Sequence, residues 1–278
     1  VIGLSFYDAG SNLMNTGSRT VKCVTGYNLT GLMTSSGGTL GVFSEITLKL
    51  IPPPQASKAM MAVYDTVEGA TETVAAIIAN KILPCTLEFL DNFTINAVEE
   101  FAHVGLPVDA RALLLIEIDG HPAQVADEFE KVEQICRKNG AKRIQVARDE
   151  VEKNAIWEAR RSALSALARL KPTLILEDAT VPRSKVPEMV CGIENLAKKY
   201  DLLIGTFGHA GDGNLHPTIL CDKRNKKQWL AVEHAIEELF DIALNLGGTL
   251  SGEHGIGIAK AGFLAKEIGE ASIAYSRK

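Results

Sequence analysis

The sequence predicts an α+β fold, a mainly antiparallel sheet with helices on one face. Apolar runs of strand length recur along the chain, and amphipathic stretches of helical period lie between them. Two of the runs are joined directly by Asp212-Gly213, a two-residue hairpin signal. At 278 residues with 46% hydrophobic and 23% charged content, the chain is long enough to bury a sizeable core.

Residues 1–50 hold short strand-like segments broken by glycine, and the second half of 38–50 alternates apolar and polar side chains like a half-buried strand. Pro52-Pro53-Pro54 then ends regular structure, because proline has no amide donor and restricts the residue before it. This run divides the chain into domains at 1–54 and 55–278. Beyond it the pattern predicts a strand over 59–64, a helix over 67–80 and a strand over 86–90. A strand over 113–119 ends at Gly120, a helix over 122–138 is stopped by Asn139-Gly140, and a strand over 141–146 follows. Residues 150–170 have helical spacing, with Trp157, Leu164 and Leu167 on one side and Lys171-Pro172 as the stop. A strand over 173–181, a helix over 184–200, strands over 202–208 and 214–220, and a helix over 226–246 closed by Gly247-Gly248 complete the reading.

Lysine and arginine total 29 against 34 acidic residues, a net charge of −5, and no basic cluster interrupts the chain, so nucleic acid is excluded as an expected partner. Cys23, Cys85, Cys136, Cys191 and Cys221 form no CxxC pair and are odd in number, which fits a reducing cytoplasm. No apolar run approaches the roughly 20 residues of a membrane helix. A soluble cytoplasmic protein is expected, with peripheral attachment to the inner membrane compatible with the same composition. Val1 opens on an apolar segment with no initiator methionine or helix cap, so the expectation is that part of the natural polypeptide lies upstream.

The most informative stretch is Gly208-His209-Ala210-Gly211-Asp212-Gly213-Asn214-Leu215-His216-Pro217. With Asp212 and Gly213 as the central turn residues, His209 falls opposite His216. Directly opposed residues share a sheet face with Cβ atoms roughly 5 Å apart, so the two imidazoles would converge as metal ligands do. A lone histidine here is explained as well by a satisfied strand end; the pairing favours a site. The second cluster, Gly252-Glu253-His254-Gly255-Ile256-Gly257, puts a carboxylate and an imidazole on a glycine-rich loop, suited to a third metal ligand, Glu253, and a general base, His254. Alone it reads equally as a turn.

These two motifs closely resemble the C-terminal domain of the FAD-linked oxidases, in the branch that holds the flavin-binding chain of glycolate oxidase and the D-lactate dehydrogenases. The segments Arg19–Leu29 and Ser36–Gly41 are similar to the last part of that family's flavin-binding domain. The resemblance implies that residues 1–54 are the end of an α+β FAD-binding domain and 55–278 the substrate and metal domain. FAD contacts then fall on Thr25, Gly26, Tyr27, Gly38, Thr39, Gly41 and Val42. Cys23 and Asn28 stand where the family usually has aspartate, and Ser36-Gly37-Gly38 replaces its Ser-Glu-Gly, so flavin contacts are expected to differ in detail. The family's glycine-rich pyrophosphate segment lies upstream of Val1, so this chain alone is expected to bind FAD weakly or not at all.

By the same resemblance His209, His216 and Glu253 hold a divalent metal such as zinc, and His254 is the base beside the substrate. Arg160, in Trp157-Glu158-Ala159-Arg160, receives the substrate carboxylate, a role a guanidinium performs bidentately. A solvated helix face is the competing reading, with Arg161 next door. The implied reaction oxidises a small 2-hydroxy acid of the glycolate or D-lactate type to the 2-oxo acid, with hydride passing to flavin. The implied partners are an electron-accepting iron–sulfur subunit or a quinone, and a second copy of the chain in a homo-oligomer. Two other classes stay open at this point: a non-catalytic module that docks an electron-accepting subunit, and a metal-dependent hydrolase in which His209 and His216 activate water.

Overall fold

In the computed structural model, which describes residues 1–278, the chain divides at the proline run into two units, Val1–Pro53 and Pro54–Lys278. The first contains β1 (Gly3–Tyr7), β2 (Leu13–Gly17), α1 (Leu29–Thr34) and β3 (Val42–Thr47), with an antiparallel sheet in the order β2-β1-β3. Asn28 caps α1 by accepting from the Gly31 amide. The core here is small, Leu4, Phe6 and Met33, and it leaves Val21, Val24, Tyr27, Leu50 and Ile51 at least 80% exposed.

The second unit runs β4 (Ala56–Tyr64), α2 (Val67–Ala79), β5 (Thr86–Asp91), α3 (Asn92–Ala102), β6 (Ala112–Gly120), α4 (Pro122–Lys138), β7 (Ala141–Val146), α5 (Glu150–Ala168), β8 (Thr173–Leu176), β9 (Ala179–Thr180), α6 (Val186–Tyr200), β10 (Leu203–His209), β11 (Asn214–Cys221), α7 (Lys226–Asn245) and α8 (Leu264–Ser276), the last interrupted at Gly269. Its eight strands pair antiparallel in the order β7-β4-β6-β5-β10-β11-β8, with β9 also on β11. No helix is long and apolar enough to cross a membrane.

The fold class is the expected α+β, with one correction: helices cover both faces of this sheet, not one. Met60, Ala62, Tyr64, Leu114 and Ile116 pack with side chains of α2, α4 and α6, while Met61, Val63, Leu113 and Leu115 pack with those of α3 and α5. The physical reason is in β4 and β6, where 59–64 and 112–116 are buried at every position. A continuous apolar run, as opposed to an alternating one, needs cover on each side of the pleat. Helix α3 was not anticipated; Asp91 starts it by accepting from the Thr94 amide at 2.8 Å, and His103 ends it in the left-handed region. The strand expected over 173–181 breaks at Glu177 and Asp178, both buried.

Candidate active site

β10 and β11 lie at the centre of the site. The turn between them is longer than the expected two residues: Ala210–Asp212 form a 3-10 turn closed by Gly213, so His209 pairs with Asn214 and His216 with Phe207. Gly213 has φ +77, and a Cβ there would stand 2.1 Å from the Val181 carbonyl, so only glycine closes the turn this way. The two histidines are diagonal neighbours instead of a direct pair, yet a two-residue shift keeps both on one face. Their ring centroids are 5.4 Å apart and the rings are nearly perpendicular.

The loop after α7 brings the other groups. Glu253 Oε1 lies 3.0 Å from His216 Nε2 and 3.6 Å from His209 Nε2, and accepts from Asn214 Nδ2 at 3.1 Å. Gly252 permits this approach, since a Cβ would meet Thr180 Oγ1 at 2.2 Å and Asn214 Nδ2 at 2.9 Å. An extended loop would point Glu253 and His254 to opposite sides, and this loop is not extended. The loop folds around the fully buried Asp178, whose Oδ2 accepts from Ser251 Oγ at 2.6 Å, the Glu253 amide at 3.0 Å and the His254 amide at 2.9 Å. Both side chains therefore face one pocket, and the His254 ring lies parallel to His216 with centroids 5.3 Å apart. Ligand-type atoms of Asp178, His216, Glu253 and His254 all fall within 4.8 Å of one another.

Arg160 and Arg161 separate cleanly. Arg161 is exposed and pairs with Glu158, whereas Arg160 turns inward. It donates Nε–H to Glu88 Oε2 at 2.5 Å and lies over the Phe207 ring at 4.9 Å, while its terminal nitrogens make no protein hydrogen bond. The other oxygen of Glu88 stands 2.5 Å from His209 Nδ1. Burial opposes the charge of Glu88, but the bond from His209 and the Arg160 guanidinium hold its carboxyl below the ordinary range. His209 is raised by its bond to Glu88, with burial opposing, and burial lowers His216.

The donor set fits a divalent cation. Tetrahedral ligands at roughly 2.0–2.2 Å stand about 3.3–3.6 Å apart, near the two His–Glu253 separations above. Buried polar atoms without a partner also gather here: Asp178 Oδ1, Thr180 Oγ1, Asn214 Oδ1 and His216 Nδ1. Such atoms cost free energy unless something answers them.

Of the residues expected at flavin, Thr25, Gly26 and Tyr27 line a cleft of about 920 Å³ in the first unit, together with Thr20, Asn28 and Ser35. Gly38, Thr39, Gly41 and Val42 do not line it. The cleft's hydroxyls and amide suit part of a dinucleotide. The structure brings the expected His209, His216, Glu253 and His254 together and joins Arg160 to His209 through Glu88, whereas sequence reading passed over Glu88 and Asp178. The available signal was a carboxylate inside an apolar strand, as in Leu87-Glu88-Phe89-Leu90.

Residues 53–278 match the family described as FAD linked oxidases, C-terminal domain. Over 268 residues the chain is 52% identical to the glycolate oxidase subunit GlcD of Bacillus subtilis, covering 96% of this chain and 57% of the relative. It is 31% identical to a probable mitochondrial D-lactate dehydrogenase of Danio rerio, covering 98% of this chain and 56% of that one. The chain thus spans about half the length of the curated relatives it matches. Among solved structures, p-cresol methylhydroxylase with substrate bound superposes with a TM-score of 0.65 at 16% identity, over 89% of this chain and 56% of that one, a likeness of fold. By the match across the whole second unit, the chain belongs to the FAD linked oxidases, through their C-terminal domain.

Proposed function

We propose that this chain is the substrate and metal half of an FAD-dependent dehydrogenase that oxidises a small 2-hydroxy acid, of the glycolate or D-lactate type, to the 2-oxo acid. The observation that carries the reading is one pocket in which His209, His216 and Glu253 converge beside His254, with the free guanidinium fork of Arg160 tied to His209 through Glu88. The names of relatives from B. subtilis and D. rerio, a glycolate oxidase subunit and a D-lactate dehydrogenase, agree with it.

In this reading Arg160 takes the substrate carboxylate on its two terminal nitrogens, which fixes the acid by a bidentate contact. His209, His216 and Glu253 would hold a divalent metal such as zinc, and Thr25, Gly26 and Tyr27 would touch FAD. When bound, the metal supplies Lewis acidity at the hydroxyl and the flavin supplies the two-electron sink. His254 receives the hydroxyl proton on its ring, and Asp178 holds the loop that presents it. The α-hydrogen departs with the electron pair, so the substrate loses two electrons and two hydrogens. The word subunit in the relative's name extends to a partner here, an electron-accepting iron–sulfur subunit or a quinone, with a homo-oligomer as a further assembly. We place the protein in the cytoplasm or on the inner face of a membrane.

The test uses full-length flavoprotein mixed anaerobically with a panel of 2-hydroxy acids. Bleaching of the oxidised flavin by glycolate or D-lactate, with release of the matching 2-oxo acid, is expected. A flavin that stays oxidised across the panel refutes the reading.

A further inference from the structure

Glu88 divides its two oxygens between the two functional halves of the pocket. Strand β5 places it between β6 and β10, on the sheet face that α5 covers, and it is buried. Oε1 meets His209 Nδ1 and Oε2 meets Arg160 Nε, each at 2.5 Å. An ionised carboxylate only accepts, so Nδ1 of His209 carries the hydrogen and the lone pair lies on Nε2, the nitrogen 3.6 Å from Glu253 Oε1. On the other side, engaging Nε fixes the guanidinium over Phe207 and leaves both terminal nitrogens free.

We infer that Glu88 is a positioning residue that couples the metal site to the carboxylate-binding arginine: it sets the ligating nitrogen of His209 and the plane of Arg160 through one rigid carboxylate. This rests on the reading of the site given above and adds a linkage to it. A carboxylate on the distal nitrogen of a histidine ligand orients the ring and raises its basicity, and losing it typically lowers metal affinity 10- to 100-fold. The new element is Arg160. It makes no hydrogen bond to a proposed metal ligand, yet it holds the carboxylate that holds His209, so its removal lets Glu88 reorient. The competing account gives Glu88 only the task of neutralising a half-buried arginine. That account predicts changes in stability and none in metal affinity.

A double-mutant cycle on the full-length protein separates the two, read by zinc affinity from competition with a chromophoric chelator, a measurement that needs no turnover. Glu88→Gln keeps the shape and removes the charge; about a 10- to 100-fold loss of zinc affinity is expected, with flavin content unchanged. Arg160→Gln is expected to lower zinc affinity at least about threefold in the wild-type background and not at all in Glu88→Gln, since the path is already broken. Unchanged zinc affinity in Arg160→Gln, or an equal drop in both backgrounds, overturns the coupling. Should Glu88→Gln fail to fold, Arg160→Gln alone decides the matter through its zinc affinity. A wild-type protein that takes up no zinc overturns the metal reading itself, a result distinct from equal uptake by wild type and variants.

Discussion

Replacing Asp178 tests whether the loop at 251–254 is held in its working shape by one buried oxygen. Three donors converge on Asp178 Oδ2, at 2.6, 2.9 and 3.0 Å, and two of them are the amides of Glu253 and His254. Burial works against the charge, but those donors and nearby Lys260 keep the carboxyl below its ordinary range, so it is ionised at neutral pH. Hydrogen bonds to a charged group contribute about 1.5–3 kcal/mol each, which puts the loop's debt to Asp178 on the order of 5 kcal/mol. Asp178→Asn keeps the volume and one acceptor but loses the charge, and a neutral bond is roughly half as strong, so about 2–3 kcal/mol is lost. That corresponds to about a 30- to 150-fold rise in the open population of the loop. Hydrogen exchange at the Glu253 and His254 amides is expected to accelerate by that factor in the full-length protein, with turnover falling and flavin content preserved. Exchange at those two amides within about twofold of wild type refutes the reasoning.

At the site, His254→Ala is expected to lower turnover about 10²- to 10⁴-fold with flavin content unchanged, and near-normal steady-state rates would make the histidine structural. Glu253→Ala is expected to lower bound metal, measured by elemental analysis, together with turnover, and added metal restores part of the activity; full metal content in the variant removes Glu253 from the ligand set. Because the bond to Glu88 raises His209 while burial lowers His216, His209 is the imidazole that keeps its second proton to higher pH. Zinc displaces that proton, so zinc affinity falls by about tenfold per pH unit as pH drops below the His209 range, and a flat profile from about pH 5 to 8 contradicts this. In the core, Leu114→Ala empties a fully buried position on β6 and is expected to cost about 2–5 kcal/mol by denaturant unfolding.

Much of the second unit was legible in the sequence, and the errors have local causes. Helix α4 was read with the observed bounds because Pro122 opens it, its apolar residues keep one face, and Asn139-Gly140 stops it. Helix α3 was missed because Asn92-Phe93-Thr94-Ile95-Asn96 mixes polar and β-branched residues, and its start depends on the carboxylate of Asp91, which also accepts from the Thr206 amide at 2.7 Å. The hairpin register was two residues out because Asp-Gly belongs equally to a longer turn whose glycine sits last, as Gly213 does here.

The site residues divide along the same line. His209 and His216 share one hairpin and Glu253 and His254 one loop, each pair in a glycine-flanked motif that is legible locally, and the single helix α7 between them returns the loop to the hairpin. Glu88 meets His209 across 121 residues, and that contact exists because β5 and β10 are neighbours in the sheet, an order that no local pattern encodes. What the sequence does carry is the cost: a carboxylate between Leu87 and Phe89, or one beside Ala179, has no inexpensive place in a packed core. Such a residue persists only where the fold delivers donors to it, and Glu88 and Asp178 each receive donors from elements far away in the chain. A buried acid in an apolar strand is therefore a statement about tertiary structure, and the partners it demands mark where the strands of a site must meet.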